Sequence, residues 1–378
     1  MRTLHPSIMI GSYGWEQDRI PRDEFQIRMD ALHGVMDEKK LAAILVYGDA
    51  REHAELAWFS NFIPRLRWAM ALLPRKGEPR LLTSMSPRDV PAMRQMTWIA
   101  DVTSGWNWES AFDPWLAKLG TGAPAEIGTV GFDLMRPALM QALKRSLGNR
   151  FRLDDVDQGV AAVRSTRPRE LSLVREACKV VEAGAAAMRK AWREGLGNEA
   201  AALEGERTAR ALAAQDVRTL ASLDGGRTLV PFSGAFDARS EPFLSYIAVK
   251  HMGYWAELFV SEADQTNEIA RCSREGLAAA LQSAGPGAAA SELYARTVKP
   301  LGARPLHPAL GASIGRRIGL SSNEGNELRQ DGRGLLTAGE VYALHVGTHD
   351  PEIGGVIASA MIAVTSRGGE VLVRSTES

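Results

Sequence analysis

The sequence predicts two domains of different class, an α/β domain over residues 1–163 and an α+β domain over residues 164–378. Three observations predict it. The chain of 378 residues exceeds what one hydrophobic core usually serves. Short apolar runs alternate with helical stretches up to about residue 163. After Pro168 the order changes to long helical pairs around apolar runs that read as antiparallel strands.

The elements follow from spacing. Asp23 to Lys39 places Phe25, Ile27, Met29, Leu32, Val35 and Met36 close to helical period, and Ala42 to Tyr47 is a short apolar run of buried-strand type. Trp68 to Leu73 and Arg80 to Thr83 read as strands around the turn Pro74-Arg75-Lys76-Gly77-Glu78-Pro79, and Pro137 to Leu147 as a helix. Glu170 to Glu194 is alanine-rich with a continuous helical period, followed by a second helix from Asn198 to Ala214. A β-rich region opens at Pro231-Phe232-Ser233-Gly234. Within it, Phe243 to Val249 and Tyr254 to Val260 form a hairpin turned at His251-Met252-Gly253. Helices return from Gln265 to Ala284 and from Ala288 to Val298, and Glu340 to Val346 and Val356 to Val364 are the closing strands.

Composition excludes several functions. Forty-five basic residues balance forty-five acidic ones, so nothing concentrates cations for nucleic acid, and none is expected as a partner. No stretch approaches the roughly 18 apolar residues of a membrane span, and Met1 to Gly14 lacks a basic region followed by an apolar run. A soluble, cytoplasmic protein is expected. The two cysteines, Cys178 and Cys272, stand in no CxxC or metal-type spacing and read as small buried residues of a reducing compartment.

Five blocks carry the functional argument. They are Val163-Arg164-Ser165-Thr166-Arg167-Pro168-Arg169-Glu170-Leu171, Gly253-Tyr254-Trp255-Ala256-Glu257, Gly315 to Glu324 (Gly-Arg-Arg-Ile-Gly-Leu-Ser-Ser-Asn-Glu), Ala338 to His345, and Gly355-Val356-Ile357-Ala358-Ser359 with Val364-Thr365. In order and spacing they resemble the blocks I-R-x-x-K-x-x-x-E-[IL], G-Y-x-x-D, G-H-G-I-G-L-x-x-H-E, P-G-M-V-x-x-x-E and G-V-R-I-E…V-T of the creatinase, aminopeptidase P and prolidase family. The resemblance covers roughly the whole chain and is strong after Arg164. It implies a creatinase-like N-terminal domain and a pita-bread C-terminal domain. The positions where that family holds two metal ions read Tyr246, Glu257, Arg316, His345 and Ser359 here. A dinuclear site needs several carboxylates, and this set has one and adds a guanidinium. The resemblance with these substitutions therefore implies no metal and no other cofactor.

Each site residue has a functional and a structural reading. Glu257, placed in a central cavity beside Tyr246, is a general acid, base or nucleophile of raised pKa, or else the salt-bridge partner of Arg316. His345 is an acid/base couple with Glu257 or a hydrogen-bonded core histidine. A single-metal site from Glu257, His345 and either His251 or Glu324 is a third arrangement. Arg316 is an anchor for an anionic group, or a structural pair to Glu324 or Glu327. Gly311-Ala312-Ser313-Ile314-Gly315 matches a G-x-S-x-G elbow but lacks its strand-to-helix context. Asp224-Gly225-Gly226 and Gly285-Pro286-Gly287 read as turns.

Creatinase cleaves a C–N bond on this fold without metal, using a histidine in a G-x-H-N-P context. Here that segment reads Ser233 to Pro242 without histidine, so Asp237, Arg239, Glu241 and His345 are the candidates for its work. Phe62 to Ala69 resembles the creatinase segment that reaches across a dimer to the substrate's carboxylate. Arg65 or Arg67 is its arginine, and Trp68 reads as core. The resemblance thus implies a homodimeric, metal-independent hydrolase or lyase acting on a small polar or anionic molecule. Glu257 and His345 would be catalytic. Arg65, Arg67, Tyr246, Arg316, Asp237, Arg239, Glu241 and Glu324 would bind the substrate. The rivals are a pseudoenzyme that binds a metabolite or a protein, and a metal-dependent Xaa-Pro peptidase-like enzyme with an atypical site.

Overall fold

The structure, a computed structural model, describes residues 14–105, 108–119, 125–264 and 266–375, with the side chains of 108 and 109 excepted. The stretch before Gly14 and the helix start read at Gln265 lie outside the described residues. Two compact units divide the chain, Met1–Arg164 and Ser165–Ser378.

The first unit is built on a six-stranded mixed sheet. Its strands are β1 (Ala43–Asp49), β2 (Trp68–Pro74), β3 (Arg80–Thr83), β4 (Asp101–Ser104), β5 (Ala125–Val130) and β6 (Phe151–Asp155), in the order β4-β3-β2-β1-β5-β6. Helices α1 (Arg22–Lys39), α2 (Ala54–Ser60), α3 (Val90–Met93), α4 (Trp108–Ala117), α5 (Pro137–Leu147) and α6 (Asp157–Val163) complete it. Strands β1 and β2 are buried along almost their whole length, which is why they read as continuous apolar runs. Trp68 packs in the core with Tyr47, Phe112 and Trp115, as its apolar surroundings in sequence suggest. Arg75 closes the C-terminus of α1 by donating to the carbonyls of Met36 (2.7 Å) and Leu41 (2.8 Å).

The second unit opens with α7 (Pro168–Arg193) and α8 (Asn198–Ala211). Pro168 sits at the first helical position, and Glu170 accepts the backbone N–H of Arg167 at 3.1 Å, so the helix begins at Pro168. The two helices approach closely because a Cβ at Gly205 would lie 2.8 Å from the Gly184 carbonyl. A three-stranded sheet follows, β7 (Asp216–Ala221), β8 (Phe243–His251) and β9 (Tyr254–Glu262). The β8–β9 turn has Met252 at φ 49° and Gly253 at φ 86°, two successive left-handed residues that match the twist of a tight hairpin. After α9 (Glu268–Ser283) and α10 (Ala290–Val298), a four-stranded antiparallel sheet runs β10 (Gly315–Arg317), β11 (Val341–Asp350), β12 (Gly354–Thr365) and β13 (Gly368–Arg374).

Three differences from the sequence reading have physical causes. Residues 231–242 form an irregular loop rather than opening the sheet, because the buried Asn198 and Glu199 side chains take their backbone groups. Asn198 donates to Ser240 and accepts from its N–H, and Glu199 accepts from Ser233 (2.6 Å) and Gly234 (2.9 Å). Strand β7 is half-exposed and polar, and β13 is an edge strand, so neither carries the apolar run by which β1, β2, β8, β9, β11 and β12 are read.

The two sheets of this unit meet at β9 and β12, joined by side chains. Ser359 Oγ accepts from the Phe259 N–H at 2.8 Å and donates to its carbonyl at 3.1 Å. Ser261 does the same for Ile357, donating at 2.9 Å and accepting at 3.1 Å.

Candidate functional site: a closed ionic knot beneath an apolar cavity

Strand geometry assembles the site. Ala248 pairs with Glu257 and Tyr246 with Phe259, so Tyr246 is the diagonal neighbour of Glu257 on the same face of the hairpin. His345 lies opposite Ser359, and Arg316 opposite Ala343, which puts Arg316 and His345 on one face of the second sheet. Where the sheets meet, all three groups converge on Glu257. Its Oε2 accepts from Tyr246 Oη at 2.8 Å and from a terminal nitrogen of Arg316 at 2.7 Å. Its Oε1 accepts from His345 Nε2 at 2.8 Å.

Glu257 is 0% exposed. Burial alone would raise its pKa, but Arg316, His345 and Tyr246 outweigh it and hold the carboxyl below the usual carboxylate range. The raised value expected for an uncompensated carboxylate is therefore corrected, because the cation is present. An ionised Glu257 only accepts, so Nε2 of His345 carries the hydrogen and Nδ1 carries the lone pair. That Nδ1 is buried and meets no hydrogen-bond partner. Burial, reinforced by Arg316, holds His345 below the ordinary histidine value of 6.5 despite Glu257, so the ring is neutral.

A cavity of about 350 Å³ lies over this knot. Leu220, Leu229, Phe259 and Leu310 give it an apolar wall, with the Phe259 ring edge-on to His345 at 4.9 Å. Tyr246, Arg316, His345, Asn323 and Glu327 supply its polar groups. Glu257 stands behind the wall rather than in it.

Of the other expected residues, those of the second unit stand outside the knot. Asp237, Arg239 and Glu241 are exposed on the 231–242 loop and do not line the cavity. Arg239 lies over the Trp192 ring at 4.0 Å and donates to the Trp192 carbonyl at 2.6 Å, so its charge is used to hold the loop. Glu324 accepts the N–H groups of Leu320 (2.7 Å) and Ser321 (3.2 Å) and pairs with Arg317 at 3.7 Å. It is a turn-forming residue, while Arg316 donates to Glu257 and to the Ser322 carbonyl and also feels the charge of Glu327. Arg65 and Arg67 belong to the first unit, in the segment between α2 and β2, with Arg67 in left-handed backbone at φ 58°. The Ser313 hydroxyl donates to the Gly315 carbonyl at 2.7 Å and no helix follows, so no nucleophile elbow forms.

Sequence reasoning missed Leu220, Leu229, Leu310 and Glu327 as cavity residues. Leu229 and Glu327 lie in irregular segments and Leu310 in a single 3-10 turn, where no periodicity marks them. Cys178 and Cys272 are buried and unpaired as expected, and burial pushes the Cys178 thiol up to about 12.

An α/β domain followed by a two-sheet α+β domain with a central cavity is the pita-bread arrangement. The model for "Metallopeptidase family M24" matches residues 172–366, and that for "Creatinase/Prolidase N-terminal domain" matches residues 28–166. The chain belongs to metallopeptidase family M24. Among solved structures it is similar to the prolidase from Pyrococcus horikoshii OT3, at 19% identity and TM-score 0.74 over 93% of this chain and 99% of that one. The Xaa-Pro dipeptidase from Bacillus anthracis matches at 18% identity and TM-score 0.73, over 94% and 99% of the two chains. The N-terminal domain of FACT complex subunit SPT16 from Cicer arietinum matches at 14% identity and TM-score 0.66, over 94% and 97%. No curated protein matches.

The family implies metal ions, and the donor set does not fit them. Both Glu257 oxygens, His345 Nε2 and the Ser359 hydroxyl are committed to internal hydrogen bonds, and a guanidinium stands 2.7 Å from the carboxylate a cation would need. Among the described residues no group of three or more His, Cys, Asp or Glu side chains could hold a metal. His251 does not join Glu257 and His345 in a single-metal set: it lies 3.9 Å from Glu176. No helix among the described residues is long and apolar enough to cross a membrane.

The buried histidines set a pH dependence. His345 and His307 are both held below 6.5, burial being the largest cause in each. The unfolded chain then binds their protons at higher pH than the folded one, so stability is full above about pH 6.5 and falls as pH drops beneath it. The depressed Glu257 value extends the loss below 4.5. Urea midpoints measured at pH 8, 6 and 5 should fall in that order, and a flat series would refute the assignment.

Proposed function

We propose that the protein is a metal-independent hydrolase, or a lyase, that breaks a C–N bond in a small polar molecule bound in the cavity. The observation that carries the proposal is His345: its Nε2–H is fixed on an ionised Glu257, which leaves Nδ1, buried and without a hydrogen-bond partner, as the uncommitted base of a ring that lines the cavity. Nδ1 takes a proton from water, the water oxygen attacks the carbon, and the same proton passes to the departing nitrogen. In the lyase variant, Nδ1 takes the proton from carbon instead. Glu257 touches neither substrate nor water. It is a positioning residue that fixes the tautomer and offsets the imidazolium charge. Arg316, 26% exposed at the wall, supports negative charge on the substrate.

A second reading, ligand binding without turnover, is favoured by the same knot: its polar groups satisfy one another, and Nδ1 is shielded from solvent. Purified protein incubated with a panel of small amides, ureas, amines and dipeptides, followed by mass spectrometry, separates the two. Products bearing the mass of water, or lacking it for a lyase, support the enzyme. Binding without product from any compound supports the second reading.

Metal independence is tested separately. Chelator treatment, and addition of manganese, cobalt or zinc, should leave turnover and the melting temperature unchanged. Stoichiometric metal whose removal abolishes turnover would sink the proposal.

A further inference from the structure

The reaction just described leaves one carboxylate at the cavity wall without a task. Glu327 lines the cavity with 41% of its side chain exposed. Its Oε2 lies 3.5 Å from Arg329, which is itself 45% exposed and shared with Asp331 at 3.4 Å. Such a solvent-screened pair holds its members weakly.

Arg316 is bonded to Glu257 at 2.7 Å, and its guanidinium also acts on Glu327. Glu327 is the carboxylate that lines the cavity, and the partner nearest it is a solvent-screened arginine. A ligand with a cationic end would compete with that weak pair for Glu327. The apolar wall formed by Leu220, Leu229 and Leu310 suits a short hydrocarbon segment beside that end.

We propose that Glu327 determines specificity by receiving a protonated amine of the substrate, so that the cavity selects amine-bearing compounds over neutral isosteres. The proposal rests on the cavity being the substrate site, as argued above. A charge-assisted hydrogen bond of this kind separates an ammonium from a hydroxyl by about 10- to 100-fold in affinity.

The test is calorimetric titration of the full-length protein with 5-aminopentanoate and 5-hydroxypentanoate, which share a carboxylate and a chain and differ in the end group. Wild type should bind the amine at least about tenfold more tightly. Glu327→Gln should bring the two within about twofold, and Glu327→Asp should restore a preference. Equal affinities in wild type, no binding of either compound, or a preference that persists in Glu327→Gln overturns the proposal. Binding needs no turnover, so the outcomes are separable: amine preference without product from any substrate overturns the proposed reaction alone, and turnover without amine preference overturns this inference alone.

Discussion

Glu257→Gln is expected to destabilise the second unit by about 2–4 kcal/mol, a fall in melting temperature of roughly 5–10 °C. The reason is asymmetry. Removing one member of a buried ion pair strands the other, and here the carboxylate also serves the Tyr246 hydroxyl and the His345 N–H. The lower part of the range allows for Arg316, whose partial exposure lets water offset some of the loss. The double variant Glu257→Met with Arg316→Met should regain only the share due to the stranded Arg316, because the Tyr246 hydroxyl and the His345 N–H still lose their acceptor. Urea or thermal denaturation of the two single variants and the double completes the cycle. A single Glu257→Gln variant as stable as wild type would mean that the knot does not hold the two sheets.

His345→Gln is expected to lower kcat by about 10²- to 10⁴-fold on whatever substrate the panel identifies, with KM changed far less. Wild-type activity should decline on the acid side beneath pH 6.5, since burial holds the His345 pKa below that value and protonation removes the Nδ1 lone pair. The residual activity of the variant should lack that limb. A merely structural histidine would lower stability without moving the pH profile. An unchanged kcat in a folded His345→Gln protein would remove the base from the mechanism and leave the binding reading.

How far the sequence could be read followed from periodicity. Helices α1, α5, α7 and α8, the β8–β9 hairpin, and strands β2 and β3 were legible within a few residues, because the helices repeat apolar residues at helical period and the strands are short apolar runs bounded by turns. The 231–242 loop was not, since Asn198 and Glu199 hold it from another element and leave no local mark. Arg239 looked like a site residue for the same reason. Its cationic side chain and its place in the family pattern point to a ligand, yet Trp192, far away in sequence, already engages it.

The sequence by itself determined which side chains could meet: Tyr246, Glu257, Arg316 and His345 stand at spacings that strand pairing brings to facing sides of two sheets. It also determined the charges available, one carboxylate and one guanidinium, because those are covalent facts. Only the tertiary structure decided how they divide the work. Meeting where β9 and β12 pack, the four side chains satisfy one another, so Glu257 is sealed behind the wall while His345 and Arg316 reach the cavity. Whether a charged group is buried and paired or left open to a ligand depends on what packs over it, and no local pattern encodes that.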